Sequence, residues 1–211
     1  MKSAVLGAVA LAVLAGAADA QVKWFKWDGV VTIPDNTGPS GGSVSVFIDV
    51  PNSGNIEDLN VDLIIAHTWQ GDIIADLIAP GGQTVRLLDR VGNGANPGVG
   101  VGFSADNFGN PTTGAKFILD DSAAVPYDNA PNGNVAGTVG IANVAGSWKP
   151  HSPLSALNGL NKQGRWTLRV SDNAGLDTGS IRNFGLTFTV PAPGAVALFG
   201  AAGLAAARRR R

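Results

Sequence analysis

The sequence predicts an all-β domain, specifically a jelly-roll β-sandwich or barrel of about eight antiparallel strands. Three observations indicate this class. Apolar and polar residues alternate with a period of two in several segments, which is typical of half-buried antiparallel strands. Glycine, proline and Asn/Asp turn signals separate these segments at short intervals. No convincing amphipathic helix pattern occurs between residues 21 and 190.

The chain opens with the three parts of a secretory signal peptide. Lys2 precedes a charge-free run from Ala4 to Ala17, and Ala18-Asp19-Ala20 supplies a small-residue cleavage site. The run is short for a membrane span, which needs about 20 residues. We therefore assign residues 1–20 to a signal peptide and predict one domain over residues 21–190. The alternative, a buried alanine-rich helix, has no polar face in this sequence.

Alternation predicts most of the strands. In the strand that ends at His67, for example, Leu59, Val61, Leu63 and Ile65 share one face. A segment that is apolar at nearly every position predicts a more buried strand, and a Pro-Gly-Gly turn joins it to a hairpin partner. A long Gly- and Asn-rich stretch predicts a loop that is functional or organised by a ligand. The strands are Ser43–Val50, Leu59–His67, Ile73–Ala79, Thr84–Leu88, Arg165–Val170 and Ile181–Val190, and the loop is Val91–Pro111.

Residues 191–211 predict a sorting tail. Pro191-Ala192-Pro193 is followed by a charge-free stretch and then by Arg208–Arg211. The stretch covers about 21 Å as a helix, less than the roughly 30 Å hydrocarbon core, so it is a weak anchor with its arginines on the cytoplasmic side. This layout resembles the PEP-CTERM sorting signal, which implies transient membrane insertion, processing by an exosortase-type protease and delivery to the cell surface. Ala192 stands where that signal usually has Glu. The alternative is a plain C-terminal membrane tail.

Charge and cysteine content exclude several functions. The chain has 15 Lys/Arg and 16 Asp/Glu; without the five basic and one acidic residues of the two ends, 10 and 15 remain, a net charge of −5. An acidic domain with scattered Lys and Arg lacks the basic patch that nucleic acid requires. There is no cysteine, so disulfides, thiol catalysis and Cys-ligated zinc are excluded.

Several segments in order resemble the P domain, or P/Homo B domain, of proprotein convertases and bacterial subtilases. The resemblance implies an eight-stranded jelly roll that normally accompanies and stabilises a subtilisin-like catalytic domain. Residues 21–190 leave no room for such a domain. The segments are Ile33–Asn36, Asn55–Val61, His67–Asp72, Leu77–Thr84, Asp120–Ala123, Gly146–Pro150, Leu154–Gly159, Gly164–Leu168, Val170–Asp172 and Asp177–Gly179.

The sequence offers little for catalysis. The histidines are His67 and His151, and neither a Gly-x-Ser-x-Gly elbow nor a subtilase-type Gly-Thr-Ser block occurs. His67 lies in phase with apolar residues, which favours a packed strand-end histidine that hydrogen-bonds nearby backbone over a catalytic base. His151 lies in a loop and is expected to be exposed. Asp72 is expected to lock its turn.

Calcium is the metal that the composition favours, because it takes Asp, Asn and backbone oxygens from loops. One candidate set is Asp120 and Asp121, with Asp106, Asp128 and Asn129 nearby in sequence. A second set, at strand ends, is Asp35, Asp172 and Asp177. The competing interpretation is that these side chains hold turns.

Three functions follow from this sequence. The first is an exported, surface-directed, non-catalytic P-domain protein with a binding, structural or protease-accessory role. The second is a component of a subtilase-type serine endopeptidase system. The third is an envelope carbohydrate-binding module, motivated by Trp69 and Trp148 near loops, while Trp166 is predicted to face the core.

Overall fold

The computed structural model describes residues 20–36, 42–91, 107–129 and 143–191. Gln21–Val190 forms one compact unit. The proposed signal peptide, apart from Ala20, and the proposed sorting tail, apart from Pro191, lie outside the described residues. Within the described ranges, no helix is both long enough and apolar enough to cross a membrane.

Two sheets pack face to face, and helical structure in the described part is limited to three short 3₁₀ turns, at Gln70–Asp72, Tyr127–Asn129 and Leu154–Leu157. The predicted all-β sandwich is confirmed; its jelly-roll winding stays a prediction. The described residues hold eleven strands rather than about eight. They are β1 (Gln21–Ile33), β2 (Gly42–Val50), β3 (Asp58–His67), β4 (Ile73–Ile78), β5 (Thr84–Asp89), β6 (Asn107–Phe108), β7 (Phe117–Leu119), β8 (Asn143–Val144), β9 (Gly146–Trp148), β10 (Gly164–Asp172) and β11 (Gly179–Val190).

The larger sheet has the order β1-β11-β3-β6-β8, and β7 pairs with both β3 and β9. The smaller sheet has the order β2-β10-β4-β5. The long strands pair antiparallel, whereas the short pairs β6–β8 and β7–β9 are parallel. Strands β1 and β2 therefore lie at the edges of their respective sheets.

The core forms because every second residue of the long strands points between the sheets. Trp166 on β10 is fully buried, as predicted; its ring centroid lies 5.3 Å from that of Phe188 on β11. Its Nε1 donates to the Lys162 carbonyl oxygen at 2.7 Å, which satisfies the indole inside the core. Other buried residues of the same core are Val46, Ile48, Leu59, Val61, Leu63, Ile65, Leu168, Val170, Phe184 and Leu186.

The sequence pattern missed β1 and the shortest strands. Strand β1 carries Val22 and Trp24 on its exposed face, so its alternation does not separate apolar from polar residues. The prediction of a loop over Val91–Pro111 was wrong near its end, where Asn107–Phe108 forms β6. A two-residue strand has no detectable period; it exists because Phe108 pairs with β3 on one side and β8 on the other.

Antiparallel pairing brings the ends of several strands together at one end of the sandwich. His67 at the end of β3 pairs with Gly179 at the start of β11, which also pairs with Ile33 at the end of β1. In the smaller sheet, Asp172 at the end of β10 pairs with Ile73 at the start of β4. We call this region the loop end.

Trp166→Phe is expected to lower the free energy of unfolding by about 1–3 kcal/mol, because it leaves a cavity and an unpaired Lys162 carbonyl. Urea denaturation measures the loss. Phe47→Leu is the control, because Phe47 is 46% exposed, and a surface change of this kind shifts stability by about 0.5 kcal/mol or less. Equal losses in both variants would contradict the assignment of Trp166 to the core.

Candidate functional site

The loop end is built around a buried histidine. His67 Nδ1 lies 2.7 Å from the carbonyl oxygen of Trp69, and the Trp69 backbone N–H points at the same nitrogen at 3.1 Å. His67 Nε2 lies 3.3 Å from Asp172 Oδ2, and both side chains are almost fully enclosed. The ring can fit here because β11 has Gly179 beside it, where an added Cβ would come within 2.1 Å of His67 Cδ2.

The Trp69 carbonyl determines where protons can lie on this histidine. The 2.7 Å contact with that oxygen places a proton on Nδ1, which donates to it. Nε2 and the Asp172 carboxyl then face each other across 3.3 Å, an ion-pair distance at which neither Nε2 nor Oδ2 makes a hydrogen bond. Both ring nitrogens thus face groups of the fold rather than solvent.

A second buried carboxylate lies behind this pair. Asp72 is 3% exposed and belongs to the Gln70–Asp72 turn, and its Oδ1 accepts from Arg90 at 3.2 Å. Arg90 also donates through Nε to the Gly71 carbonyl at 3.1 Å. The Asp72 carbonyl accepts from the backbone and side-chain amides of Asn173, each at 3.0 Å. The Asp72 side chain therefore joins its own turn to the residue after β5, rather than only locking that turn.

Burial raises the pKa of both carboxyl groups. For Asp172 burial is the largest cause and Asp35 adds to it, while the Ala174 N–H and His67 oppose it. Burial also raises the pKa of Asp72, and Asp172 adds to that rise more than Asp177 does, with Arg90 opposing. The loop end therefore concentrates negative charge that its own cations offset only in part.

An open cleft of about 500 Å³ lies over His67. Its lining is polar and small, with one cation at the rim; the residues include Thr32, Thr68, Thr178, Ser180 and Arg182. Two hydroxyls of this cleft are engaged locally: Thr68 Oγ1 accepts the Thr178 N–H at 2.8 Å, and Ser180 Oγ accepts from Arg182 Nε at 3.1 Å.

These contacts do not assemble an acyl-transfer site. A serine nucleophile needs a base nitrogen aimed at its hydroxyl, and His67 has neither nitrogen left for that purpose. His151 contacts Tyr127 Oη at 3.4 Å through Nδ1 and Asp89 at 3.7 Å through Nε2. In the described ranges, no serine hydroxyl hydrogen-bonds to either ring.

The first predicted calcium set lies away from the loop end, and its carboxylates hold turns. Asp120 Oδ1 accepts from the backbone N–H and the hydroxyl of Ser122, both at 2.7 Å. Asp121 accepts from the N–H groups of Leu154 and Ser155, both at 2.8 Å, so it caps the Leu154–Leu157 turn. Asp106 lies outside the described residues.

The second predicted set does come together at the loop end. Asp35 accepts from the Leu176 N–H at 3.2 Å, and Asp172 Oδ1 accepts from the Ala174 N–H at 3.1 Å. Asp177 is close enough to Asp72 to raise the pKa of that carboxyl. Among the side chains that the structure describes, no three carboxylate or imidazole groups are arranged to hold a metal ion. Calcium binding stays a prediction for both sets.

Sequence reasoning missed Arg90 and Asn173, which complete the loop end. Neither lies in a periodic strand, and each follows the last residue of one. Arg90 has a positive φ of 48°, which is uncommon for a residue with a side chain and which no local pattern signals. The tryptophans chosen for sugar binding also behave differently from expectation: Trp148 stacks on Phe117 at 6.0 Å and packs against the core, and Trp69 is partly buried.

Comparison with known proteins assigns the family. A family model of the proprotein convertase P-domain matches residues 56–188, more than half of the chain. This chain belongs to the proprotein convertase P-domain family. The P domain expected from the ordered motifs is thereby confirmed, and the matched residues include the motifs that build the loop end: His67–Asp72, Val170–Asp172 and Asp177–Gly179.

Individual relatives are much longer than this P domain. A transglutaminase-activating metalloprotease from Streptomyces mobaraensis is 47% identical over 58 residues, which is 27% of this chain and 7% of that protein. The Aeromonas sobria serine protease in complex with its chaperone ORF2 aligns at 14% identity and a TM-score of 0.49, over 82% of this chain and 27% of that one. The same serine protease alone gives 13% identity and a TM-score of 0.40, over 78% and 28%. The chain thus covers less than a third of each.

Asp72→Asn is expected to change how stability depends on pH. A carboxyl whose pKa is raised in the folded state binds more protons folded than unfolded, so its contribution to stability falls as pH rises from about 4 through the folded pKa. The Asp72→Asn variant does not undergo that loss of stability, and it keeps a side-chain oxygen that can accept from Arg90. Its free energy of unfolding relative to wild type should therefore increase between pH 4 and pH 7.

Asp49→Asn provides the matched control for this measurement. Arg165 hydrogen-bonds to Asp49 and lowers the pKa of that exposed carboxyl, so the free energy of unfolding of Asp49→Asn relative to wild type should change with pH in the opposite direction, and mainly below about pH 4. Urea unfolding at several pH values gives both series. Parallel curves for Asp72→Asn and wild type would contradict the raised pKa.

The calcium prediction is tested by thermal unfolding of the P domain. Millimolar calcium should raise Tm, since a cation bound only by the native state stabilises it, and chelation should reverse the rise. Sodium chloride at equal ionic strength separates binding from screening of the loop-end carboxylates. A calcium curve that coincides with the sodium curve would reject a calcium site.

Proposed function

We propose that this chain is an exported, surface-directed P-domain protein without catalytic activity of its own, and that it serves as an accessory to a separate serine protease. The observation that carries the proposal is the engagement of His67. Its ring is buried, with Nδ1 bonded to the Trp69 carbonyl and Nε2 facing Asp172 at 3.3 Å, so the residue most suited to base chemistry lies inside the fold at the loop end.

Family membership supports the link to proteolysis. P domains are named after the proprotein convertases, and the relatives reported above are described as proteases. A compact β-sandwich with polar loops and a net charge of −5 over residues 21–190 is suited to stay soluble outside the cell while it contacts another protein. Binding to a protease surface, and stabilising that protease, is the role we infer.

The two ends of the sequence supply the localisation in this proposal. Residues 1–20 have the charge, apolar run and small-residue site of a signal peptide. Residues 191–211 combine Pro191-Ala192-Pro193, a short apolar stretch and four arginines. We propose that the tail inserts transiently in the membrane and that an exosortase-type enzyme processes it, which leaves the P domain at the cell surface.

The absence of catalytic activity is tested first. The purified full-length chain should neither hydrolyse casein nor become labelled by a fluorophosphonate probe, because labelling requires an activated serine. Subtilisin serves as the positive control in both assays. Casein turnover that disappears in a His67→Ala variant would overturn the proposal and favour a catalytic component of a serine endopeptidase system.

The accessory role needs a second measurement. A subtilase that lacks its own P domain, encoded in the same genome, is heated with and without an equimolar amount of the chain. We expect a longer half-life of casein hydrolysis in the presence of the chain, since a ligand that binds only the native protease stabilises it. An unchanged half-life, with no complex detected by size-exclusion chromatography, would leave the family fold intact and reject this role.

A further inference from the structure

The outer face of the smaller sheet carries most of the arginines of the domain. Residues 21–190 contain five arginines and five lysines, and three of these arginines, Arg86, Arg165 and Arg169, lie on strands β5 and β10. None of the four strands of this sheet contains a lysine. Leu168 points into the core, so the two arginines of β10 lie on the solvent face. Arginine without lysine is typical of a protein–protein interface.

Register places the outward side chains of the smaller sheet in three neighbouring rows, which we call the arginine face. The rows are Arg169, Asp76 and Arg86; Phe47, Thr167, Ile78 and Thr84; and Arg165 with Asp49. The middle row carries no charge. An uncharged strip with one aromatic ring therefore lies between two rows that contain arginine.

A buried carboxylate holds two of the arginines in place. Asp76 is 3% exposed; its Oδ1 accepts from Arg86 Nε at 2.9 Å, and its Oδ2 accepts from Arg169 Nη2 at 2.8 Å. One bidentate arginine can satisfy both oxygens of a carboxylate, so two arginines leave N–H groups to spare. Asp89 lies 3.5 Å from Arg86 Nη1, whereas the other nitrogens of Arg169 have no partner among the described residues. The groups of this row that reach solvent are thus guanidinium donors.

Phe47 gives the middle row an exposed aromatic ring. It is 46% exposed, and the Arg165 guanidinium lies over it, 5.3 Å from the ring centroid. Arg165 also donates to both carboxylate oxygens of Asp49, at 2.9 Å and 3.0 Å. A side chain that is ordered in advance loses less entropy when a partner binds. Aromatic and arginine side chains of this kind often dominate the binding energy of an interface.

We propose that the arginine face is the surface through which this chain binds its protease, and that the partner presents carboxylates beside an apolar side chain. The inference rests on the accessory role proposed above and assigns its surface. The partner's carboxylates accept from Arg86 and Arg169, and its apolar side chain packs on Phe47. Because residues 21–190 have a net charge of −5, an acidic region of a partner is attracted to this face and repelled by the rest of the domain.

Other occupants fit the arginine face less well. Two copies of the chain that meet through this face about a twofold axis bring their arginines together, because such an interface pairs a surface with itself. A polyanion needs a wide patch with excess positive charge, whereas Asp76 and Asp49 each offset an arginine here. Donors placed around an aromatic ring are suited to a protein surface that carries both carboxylates and apolar side chains.

The experiment measures the Kd between the full-length chain and the subtilase of the thermal assay by biolayer interferometry. Arg169→Ala and Phe47→Ala should each raise Kd by about tenfold or more, as expected for residues at the centre of an interface. Lys23→Ala is the matched control, since it removes one positive charge from an exposed position on the larger sheet. It should change Kd by less than about twofold. Thermal melting checks that each variant is folded, and Phe47→Ala decides the matter if Arg169→Ala, which leaves Asp76 with one arginine, is not.

Photo-crosslinking locates the contact directly. Benzoylphenylalanine replaces Phe47 in one sample and Val22, which is 64% exposed on β1, in another. We expect irradiation to join the chain to the protease from position 47 and not from position 22.

The outcomes separate this surface from the accessory role itself. A complex whose Kd is unchanged in Phe47→Ala and Arg169→Ala, or that crosslinks only from position 22, overturns the arginine face and leaves the accessory role standing. A Kd raised equally by Lys23→Ala, or a crosslink from position 47 to a second copy of the chain, also overturns it. If no complex forms the inference is wrong, and the half-life assay then shows separately whether the accessory role fails with it.

Discussion

The contact between His67 and Asp172 is the constraint on which the loop end depends, because it joins the two sheets. His67 ends β3 in the larger sheet, and Asp172 ends β10 in the smaller one. Neither side chain reaches solvent. Each can be buried because the other one faces it. Removing one partner of such a pair typically costs about 3–5 kcal/mol, since the remaining charge stays buried without compensation. The same two residues position the Gln70–Asp72 turn and the Asn173 amide, which bind each other through the Asp72 backbone.

That constraint explains why the chemistry of the loop end is structural. A histidine next to an aspartate invites comparison with a hydrolase, but a catalytic dyad leaves one imidazole nitrogen facing the substrate. Here the Trp69 backbone occupies that position. The raised pKa of Asp172 and of Asp72 then reflects burial first and the charge of a neighbouring carboxylate second, Asp35 for Asp172 and Asp172 for Asp72, which is how a structural carboxylate cluster also behaves. The geometry of the contacts, rather than the perturbed titration, distinguishes the two cases.

Part of the fold and part of the loop end could be predicted from the sequence, and physical causes explain why the rest could not. Strands such as β3 and β10 were predicted because one face is buried and the period of two is visible in Leu59–Ile65 and Trp166–Val170. Strand β1 was missed because Trp24 and Val22 point to solvent at an exposed edge. The carboxylates of the second calcium set lie near strand ends, as their sequence positions indicated, and calcium binding there stays a prediction. Arg90 could not be identified from the sequence, since its contact with Asp72 comes from the pairing of β4 with β5 and not from its neighbours in sequence. The hydrogen bond between Asn183 and Asp62 was hidden for the same reason: these residues are 121 positions apart and meet only through the register of β3 and β11.

Two polar regions of the domain contain enclosed atoms that lack a hydrogen-bond partner. At the loop end these atoms are His67 Nε2, Asp172 Oδ2 and Gln70 Oε1, although the first two face each other at 3.3 Å. On the outer face of the larger sheet they are the Oδ1 atoms of Asn60 and Asn183. An enclosed polar atom without a partner costs about 1–3 kcal/mol. The apolar side chains between the two sheets therefore have to offset this cost, which makes the core, rather than the buried polar contacts, the main source of stability for this P domain.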